Sequence, residues 1–432
     1  MAIQTFISDF PAKVGEMATV KGWAHNVRSS GSLVFLQIRD GSGFTQAVVA
    51  KNGVDEAAWA AAQAATIESA VEVTGMVVRH PKQEGVFELQ ATGVVLVQKA
   101  EEYPIGKKEH GPDFLLDNRH LWLRAPSQWA VQRVRNAIIY ATYDWMRDNH
   151  FVKMDSPILT PSACEGTTEL FEIDYFGDRK AYLSQSGQLY LEAGIASLGR
   201  VFDFGPVFRA EKSKTRRHLI EFWMMDAEAA FVDHAENMRI QEALIAFVVK
   251  RVLETCQVEL KILERDPKVL ESCVAPFPRL THAEAVAKLK ELGSDIGERD
   301  DLGADDETVL TKLYDRPIFI EKYPIEVKAF YMKRDSSDPT RALNSDLLAP
   351  EGYGEIIGGS QREDDLEALL ARIREHHLPE EAFRWYLDTR RYGAVPHSGF
   401  GYGLERIVAW ICGLQHVRET IPFPRLLNRV EP

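Results

Sequence analysis

The stretch Arg200–Glu228, RVFDFGPVFRAEKSKTRRHLIEFWMMDAE, limits the fold more than any other part of the chain. Two arms rich in Val, Phe, Ile, Leu and Trp flank a basic tip at Lys212–Arg217. Strand-forming arms around a polar tip predict a long β-hairpin. Arg209 and Glu211 are two apart and share a face of the first arm. His218, Ile220, Phe222, Met224, Asp226 and Glu228 share a face of the second. With these faces aligned, one surface carries an arginine, a glutamate, a histidine, an aromatic ring and two further carboxylates. A core rejects that set, because unpaired buried charge is costly. A site for a charged aromatic ligand suits it: arginine pairs with phosphate, a ring stacks on a base, and a carboxylate accepts from an exocyclic amine.

Near the C-terminus stands His397–Trp410, HSGFGYGLERIVAW, where glycine alternates with aromatics before an apolar helix. Gly403 allows the backbone to pass close to a ligand. Arg406 falls in the first helical turn, where free N–H groups and the dipole favour an anion. Taken together, FRAE…RRHLIEF and GFGYGLER resemble motifs 2 and 3 of class II aminoacyl-tRNA synthetases. Phe151–Pro161 (FVKMDSPILTP) resembles motif 1, and the three stand in the family's order. The resemblance implies an α+β fold whose catalytic domain is an antiparallel sheet flanked by helices. It implies ATP as a substrate and Mg²⁺ as a cofactor. Arg209 would bridge the α-phosphate and the amino-acid carboxylate, and Glu211 would meet the adenine amine. Phe222 would stack on the ring, and Arg217 and His218 would approach the outer phosphates. Arg406 would hold the γ-phosphate. Arg209 and Arg406 are then the catalytic residues, acting by in-line positioning and charge neutralisation, since the substrate carboxylate is itself the nucleophile.

The remaining segments fit that frame. Residues 1–102 contain five β-type runs: Ala18–Val27, Leu33–Arg39, Phe44–Val49, Ala70–His80 and Phe87–Lys99. A helical segment, Glu56–Ala65, stands between the third and fourth. This is the element order of an OB-fold β-barrel. Arg28, Phe35 and Gln37 offer guanidinium, ring and amide groups suited to unpaired bases. GWAHNVR…GSLVFLQIRDGSG resembles the anticodon-binding domain of the aspartate/asparagine/lysine subgroup, which implies anticodon contacts for these three residues. With a formal charge of −13, the chain does not coat nucleic acid by bulk charge. A tRNA partner must meet a local surface. Residues 103–125 read as a charged linker, with Lys107 and Lys108 solvated. Residues 126–432 read as the catalytic domain, with a surface insertion around 276–312 whose acidic run Asp295–Glu307 is a solvated loop.

Ala130–Asn149 has helical apolar spacing, and the resemblance assigns it and motif 1 to a homodimer interface. Ser162–Phe171 (SACEGTTELF) resembles the subgroup's mobile loop, in which Glu165 would bind the α-ammonium. Tyr182–Glu192 (YLSQSGQLYLE) implies that Gln188 holds the amino acid. Aspartate enzymes of the subgroup carry a lysine three positions beyond that glutamine; here it is Leu191, followed by Glu192. A lysine suits a carboxylate, whereas Glu192 would repel aspartate and accept from a carboxamide. The phrase Tyr323–Met332 (YPIEVKAFYM) also resembles the asparagine branch. Arg362 would donate to the carboxamide oxygen, and Glu355, with Asp346, would hold Mg²⁺. Gly358 stands where archaeal-type aspartate enzymes have a serine, so the metal shell is left open.

The expected activity is ATP-dependent activation of asparagine and its transfer to tRNA(Asn). Alternatives are the aspartate branch, including a form that charges two tRNAs, a paralogue making free asparagine, and a non-catalytic RNA-binding module. Four scattered cysteines, no leader-like N-terminus and no membrane-length apolar run predict a cytoplasmic protein that meets no membrane.

Overall fold

The computed structural model describes residues 4–106, 108–161, 170–213 and 215–432. The chain forms two compact units, Met1–Leu115 and Leu116–Pro432. Lys107 and Glu165 lie outside the described residues. The segment read as a linker contains two short helices, Pro112–Asp117 and Arg119–Trp122.

In the first unit, β1 (Met17–Ser30), β2 (Leu33–Arg39), β3 (Phe44–Ala50), β4 (Ala70–Arg79) and β5 (Phe87–Gln98) close a barrel in the order β1-β2-β3-β5-β4. The helix Glu56–Ala64 lies between β3 and β4, and the Asp55 carboxylate accepts the Ala58 N–H at its start. This is the expected OB-fold. Strand β2 shows why it forms: Val34, Leu36 and Ile38 are fully buried, and Phe35 and Gln37 face outward. Closure requires strands to bend, and bulges at Ala24/Asn26 and Thr74/Gly75 supply it. Arg39 and Glu68, both buried, pair bidentately at 3.0 and 2.8 Å.

The second unit holds β6 (Val152–Lys153), β7 (Leu159–Thr160), β8 (Glu172–Tyr175), β9 (Arg179–Leu183), β10 (Arg200–Phe202), β11 (Gly205–Phe208), β12 (Glu221–Ala230), β13 (Arg279–Thr281), β14 (Ile318–Glu321), β15 (Asn344–Ala349), β16 (Gly354–Gln361) and β17 (His397–Gly403). Nine of them form one sheet, β13-β14-β15-β16-β17-β12-β10-β6, with β11 also paired to β12. It is antiparallel except at its two edges, where β13 runs parallel to β14 and β10 parallel to β6. The period of two separates its faces. Met225, Ala227 and Ala229 of β12, Leu347 and Ala349 of β15, and Phe400 and Tyr402 of β17 join one core. The helices Pro126–Asp148 and His234–Thr255 cover that face, contributing Val131, Val134, Ile138, Leu244, Val248 and Val252.

The opposite face is polar and glycine-rich. Register pairs Glu228 with Gly399, Asp226 with Gly401 and Met224 with Gly403. A Cβ at Gly399 would lie 2.0 Å from Glu228 Oε1, and one at Gly401 would lie 2.3 Å from Asp226 Oδ1. These strand glycines are the space the carboxylates occupy.

Two expectations change. The hairpin exists, with Gly205 opposite Met224 and Phe208 opposite Glu221, but its ladder ends there. Arg209 stands at the ladder's last bond, its N–H donating to the Ile220 carbonyl at 2.9 Å, and Glu211 belongs to the connection rather than to a strand face. The insertion is not a surface appendage. Its β13 is an edge strand of the sheet, and Ala285, Leu289 and Leu310 pack with Ile318 and Ile320. Part of the acidic run is the helix Ala304–Thr311 rather than a loop.

Candidate active site

Two cavities lie on the glycine-rich face. Arg217, His218, Phe222 and Arg406 line the smaller. Gln188, Asp226, Lys328, Asp346 and Arg362 line the larger. Arg209, Met224, Glu355 and Gly401 border both. The Arg209 guanidinium lies 5.4 Å from the centre of the Phe222 ring, a cation–π distance. Although it leaves the strand, Arg209 therefore reaches the junction.

At the phosphate-like end, Arg406 in the first turn of the helix Leu404–Cys412 donates to the Glu355 carboxylate at 2.9 Å and to its carbonyl at 3.0 Å. Arg217 donates to Glu307 at 2.7 Å, to Thr308 at 2.5 Å and to the Gly352 carbonyl at 2.8 Å. The helix read as a solvated loop thus supplies the partner of a candidate phosphate-binding arginine. Burial first, then the nearby Glu355, pushes the Glu307 carboxyl up to about 7. Glu211 stands 3.7 Å from His218 and is not among the residues lining the smaller cavity.

Asp346 and Glu355 converge on Gly358. A Cβ built there would lie 3.1 Å from Glu355 Oε1 and 3.8 Å from Asp346 Oδ1. Two hard carboxylate donors around a space that a side chain would fill suit Mg²⁺. Lys328 already sits beside one of them. Its ammonium donates to Asp346 and to Asp301, each at 3.1 Å, and lies 3.8 Å from the Tyr323 ring centre. Burial first, opposed by Lys328, leaves the Asp346 carboxyl at about 6.

At the far wall, Arg362 is 3% exposed and pinned by Glu228, with Nε at 3.0 Å and Nη2 at 2.5 Å from Oε1. Its Nη1 donates to Ser360 Oγ at 2.7 Å. The specificity argument built on Glu192 needs correcting. Glu192 is fully enclosed and does not line the cavity. One of its oxygens accepts from Gln188. The other accepts from Tyr386, Arg390 and His397. A carboxylate so enclosed lies outside the cavity that a substrate amide would enter. Leu191 likewise packs with Ile195 and Val201 in an apolar cluster. The carboxylate paired with the cavity-lining Arg362 is Glu228. Its place on the hairpin face is legible in sequence, but its partner, 134 residues away, is not.

Beneath Gln188 lie Asp203 and Asp226. The Asp226 carboxylate accepts from Ser186 Oγ at 2.7 Å and Gly187 N at 2.9 Å, and Asp203 accepts the Asp226 N–H at 3.3 Å. Burial, then Asp226, pushes Asp203 up to about 7. A carboxyl raised by folding costs stability as pH rises from its unfolded value near 4 to about 7. Asp203→Asn removes that cost. Its stability advantage in urea unfolding is expected to be about 1–3 kcal/mol larger at pH 8 than at pH 5. An equal advantage at the two pH values would contradict the assignment.

The outward barrel face brings Arg28 and Phe35 together as cross-strand partners, guanidinium 4.8 Å from the ring centre. Gln37 borders a separate groove with His25, Phe44 and His80.

Comparison with known proteins agrees with this geometry. Residues 111–427 match the class II tRNA synthetase family (D, K and N), and residues 18–97 match the OB-fold nucleic acid binding domain. An asparagine–tRNA ligase of Desulforamulus reducens is 54% identical, covering 99% of each chain, and one of Sorangium cellulosum is 55% identical, covering 98% of each. The crystal structure of asparaginyl-tRNA synthetase from Pyrococcus horikoshii complexed with asparaginyl-adenylate is 44% identical and matches with a TM-score of 0.95 over all of both chains. On the match over residues 111–427 and the 54–55% identity along nearly the whole chain, the chain belongs to the class II tRNA synthetases of the D, K and N group.

Proposed function

We propose that the chain is an asparagine–tRNA ligase. It activates asparagine with ATP to asparaginyl-adenylate, then transfers the asparaginyl group to the 3′ end of tRNA(Asn). The observation that carries this is the position of Arg209 on the shared border of the two cavities. ATP in the smaller cavity and an amino acid in the larger bring an α-phosphate and a carboxylate to that border. Arg209 then neutralises both as the carboxylate attacks in line and pyrophosphate leaves. Phe222 stacks on the adenine and Glu211 receives its amine. Arg217, His218 and Arg406 hold the outer phosphates. Glu355 and Asp346 would hold Mg²⁺, which when bound would offset phosphate charge.

Gln188 and Glu165 take the α-ammonium. Arg362 donates to the side-chain carbonyl. The Arg362–Glu228 pair is neutral as a unit, which suits a carboxamide. Aspartate would add a second negative charge beside Glu228. The 54–55% identity to asparagine–tRNA ligases supports the same choice. On the barrel, Arg28, Phe35 and Gln37 contact the tRNA anticodon. The proposal includes a homodimer using the helix Pro126–Asp148, whose Tyr140 is 64% exposed, and a cytoplasmic location. Among the described residues, no helix is long and apolar enough to cross a membrane.

Amino-acid-dependent ATP–pyrophosphate exchange tests the reading. Exchange with asparagine and not aspartate is expected. Exchange with aspartate alone would move the chain to the aspartate branch, and exchange with neither would remove the catalytic reading.

A further inference from the structure

The larger cavity meets a buried charged cluster that the proposed reaction does not use directly. Glu192, Arg390 and His397 are each 6% exposed or less, and Tyr386 is fully buried. Glu192 Oε2 accepts from Tyr386 Oη at 2.7 Å, from Arg390 Nη2 at 2.5 Å and from His397 Nε2 at 3.1 Å. Arg390 is itself anchored, its Nε donating to the Glu363 carbonyl at 2.8 Å. His397 is anchored too, its Nδ1 at 2.8 Å from the Val395 carbonyl. Three donors from one stretch, Tyr386 to His397, far from Glu192 in sequence, thus fix one carboxylate oxygen. Burial alone would raise the Glu192 carboxyl, but Arg390 and His397 overturn this and hold it well below the ordinary range.

The second oxygen, Oε1, meets Gln188 Nε2 at 3.0 Å. An ionised carboxylate only accepts, so the Gln188 carboxamide must turn its NH₂ towards Glu192. Gln188 also lines the larger cavity. With the nitrogen tied back, its oxygen is the atom left to face the ligand. An acceptor in that place selects a donor, and the donor shared by α-amino acids is the ammonium.

We infer that Glu192, held by Tyr386, Arg390 and His397, is a positioning residue that locks the Gln188 amide with its oxygen towards the cavity, so that the site recognises the substrate's α-ammonium. The inference rests on the proposed reaction but concerns the backbone end of the amino acid, not its side chain. A glutamine at position 192 could donate to Gln188 and let the amide turn. The cavity would then be offered an NH₂, which repels an ammonium.

The test compares asparagine with succinamic acid, which is asparagine without its α-ammonium. In Glu192→Gln, the KM for asparagine in pyrophosphate exchange is expected to rise about 10- to 100-fold, the loss of one charge-assisted hydrogen bond. The KM for ATP stays unchanged. The preference for asparagine over succinamic acid, read as the KM of one against the inhibition constant of the other, falls by the same factor. Unchanged preference, or an equal loss for asparagine and ATP, would overturn the inference. Should Glu192→Gln not fold around an unpaired Arg390, the charge-balanced pair Glu192→Met with Arg390→Met removes both ions together. The same loss of preference is expected from it, and a wild-type preference would again overturn the inference. If the wild-type protein exchanges with aspartate instead, the functional reading fails while this test stands, run with succinic acid in place of succinamic acid.

Discussion

Replacing Arg209 with alanine is expected to lower asparagine-dependent pyrophosphate exchange by about 10³-fold or more, the scale on which an arginine stabilises a phosphoryl-transfer transition state. Arg209 borders both cavities, so under the proposed reaction it would touch the attacking carboxylate and the α-phosphate together. Its charge matters most where negative charge from both reactants crowds one point. The fall should therefore appear in kcat as well as in the KM for ATP. The fold should survive, because alanine keeps the Arg209 N–H that donates to the Ile220 carbonyl at 2.9 Å and closes the ladder. Arg209→Lys restores the charge but not the fork, and should recover only a small part of the rate. Near-wild-type exchange by the alanine variant would contradict the assignment of the junction.

The second large effect concerns Arg362. Arg362→Met leaves Glu228, 1% exposed, without its partner. Breaking a buried pair from one side costs about 3–5 kcal/mol. Urea unfolding should show that loss, and asparagine exchange should vanish with the donor to the carboxamide. The double variant Arg362→Met, Glu228→Met removes both charges. It should regain most of the stability while exchange stays absent. Recovery of exchange in the double variant would show that the pair serves folding alone.

Local pattern made much of this molecule readable. Leu33–Arg39 falls on β2 as expected, because alternation of Val34, Leu36 and Ile38 with Phe35 and Gln37 is a property of seven consecutive residues. The hairpin arms were legible for the same reason, but their register was not. Where the strand pairing stops at Phe208–Glu221, Arg209 reaches its place from the ladder's last bond rather than from a strand face. The specificity wall was misread in one respect. Glu192 follows Leu191 in sequence and invites a role in side-chain choice. Its use is decided by Tyr386, Arg390 and His397, all about 200 residues away. The acidic insertion failed similarly. A run of Asp and Glu looks solvated until Arg217 and Lys328, brought by other segments, meet Glu307 and Asp301.

The glycines opposite Asp226 and Glu228 bear on how such an enzyme can change. Because the sheet offers only main chain at these two positions, no single substitution there can add a functional group freely: any Cβ at Gly399 or Gly401 displaces a carboxylate. A lineage or an engineer seeking a different amino acid must work from the walls, at Gln188, Lys328 and Arg362. Each of these is tethered to a carboxylate partner. New selectivity on this scaffold would arise through paired replacements, and one-at-a-time mutational searches should find mostly inactive proteins.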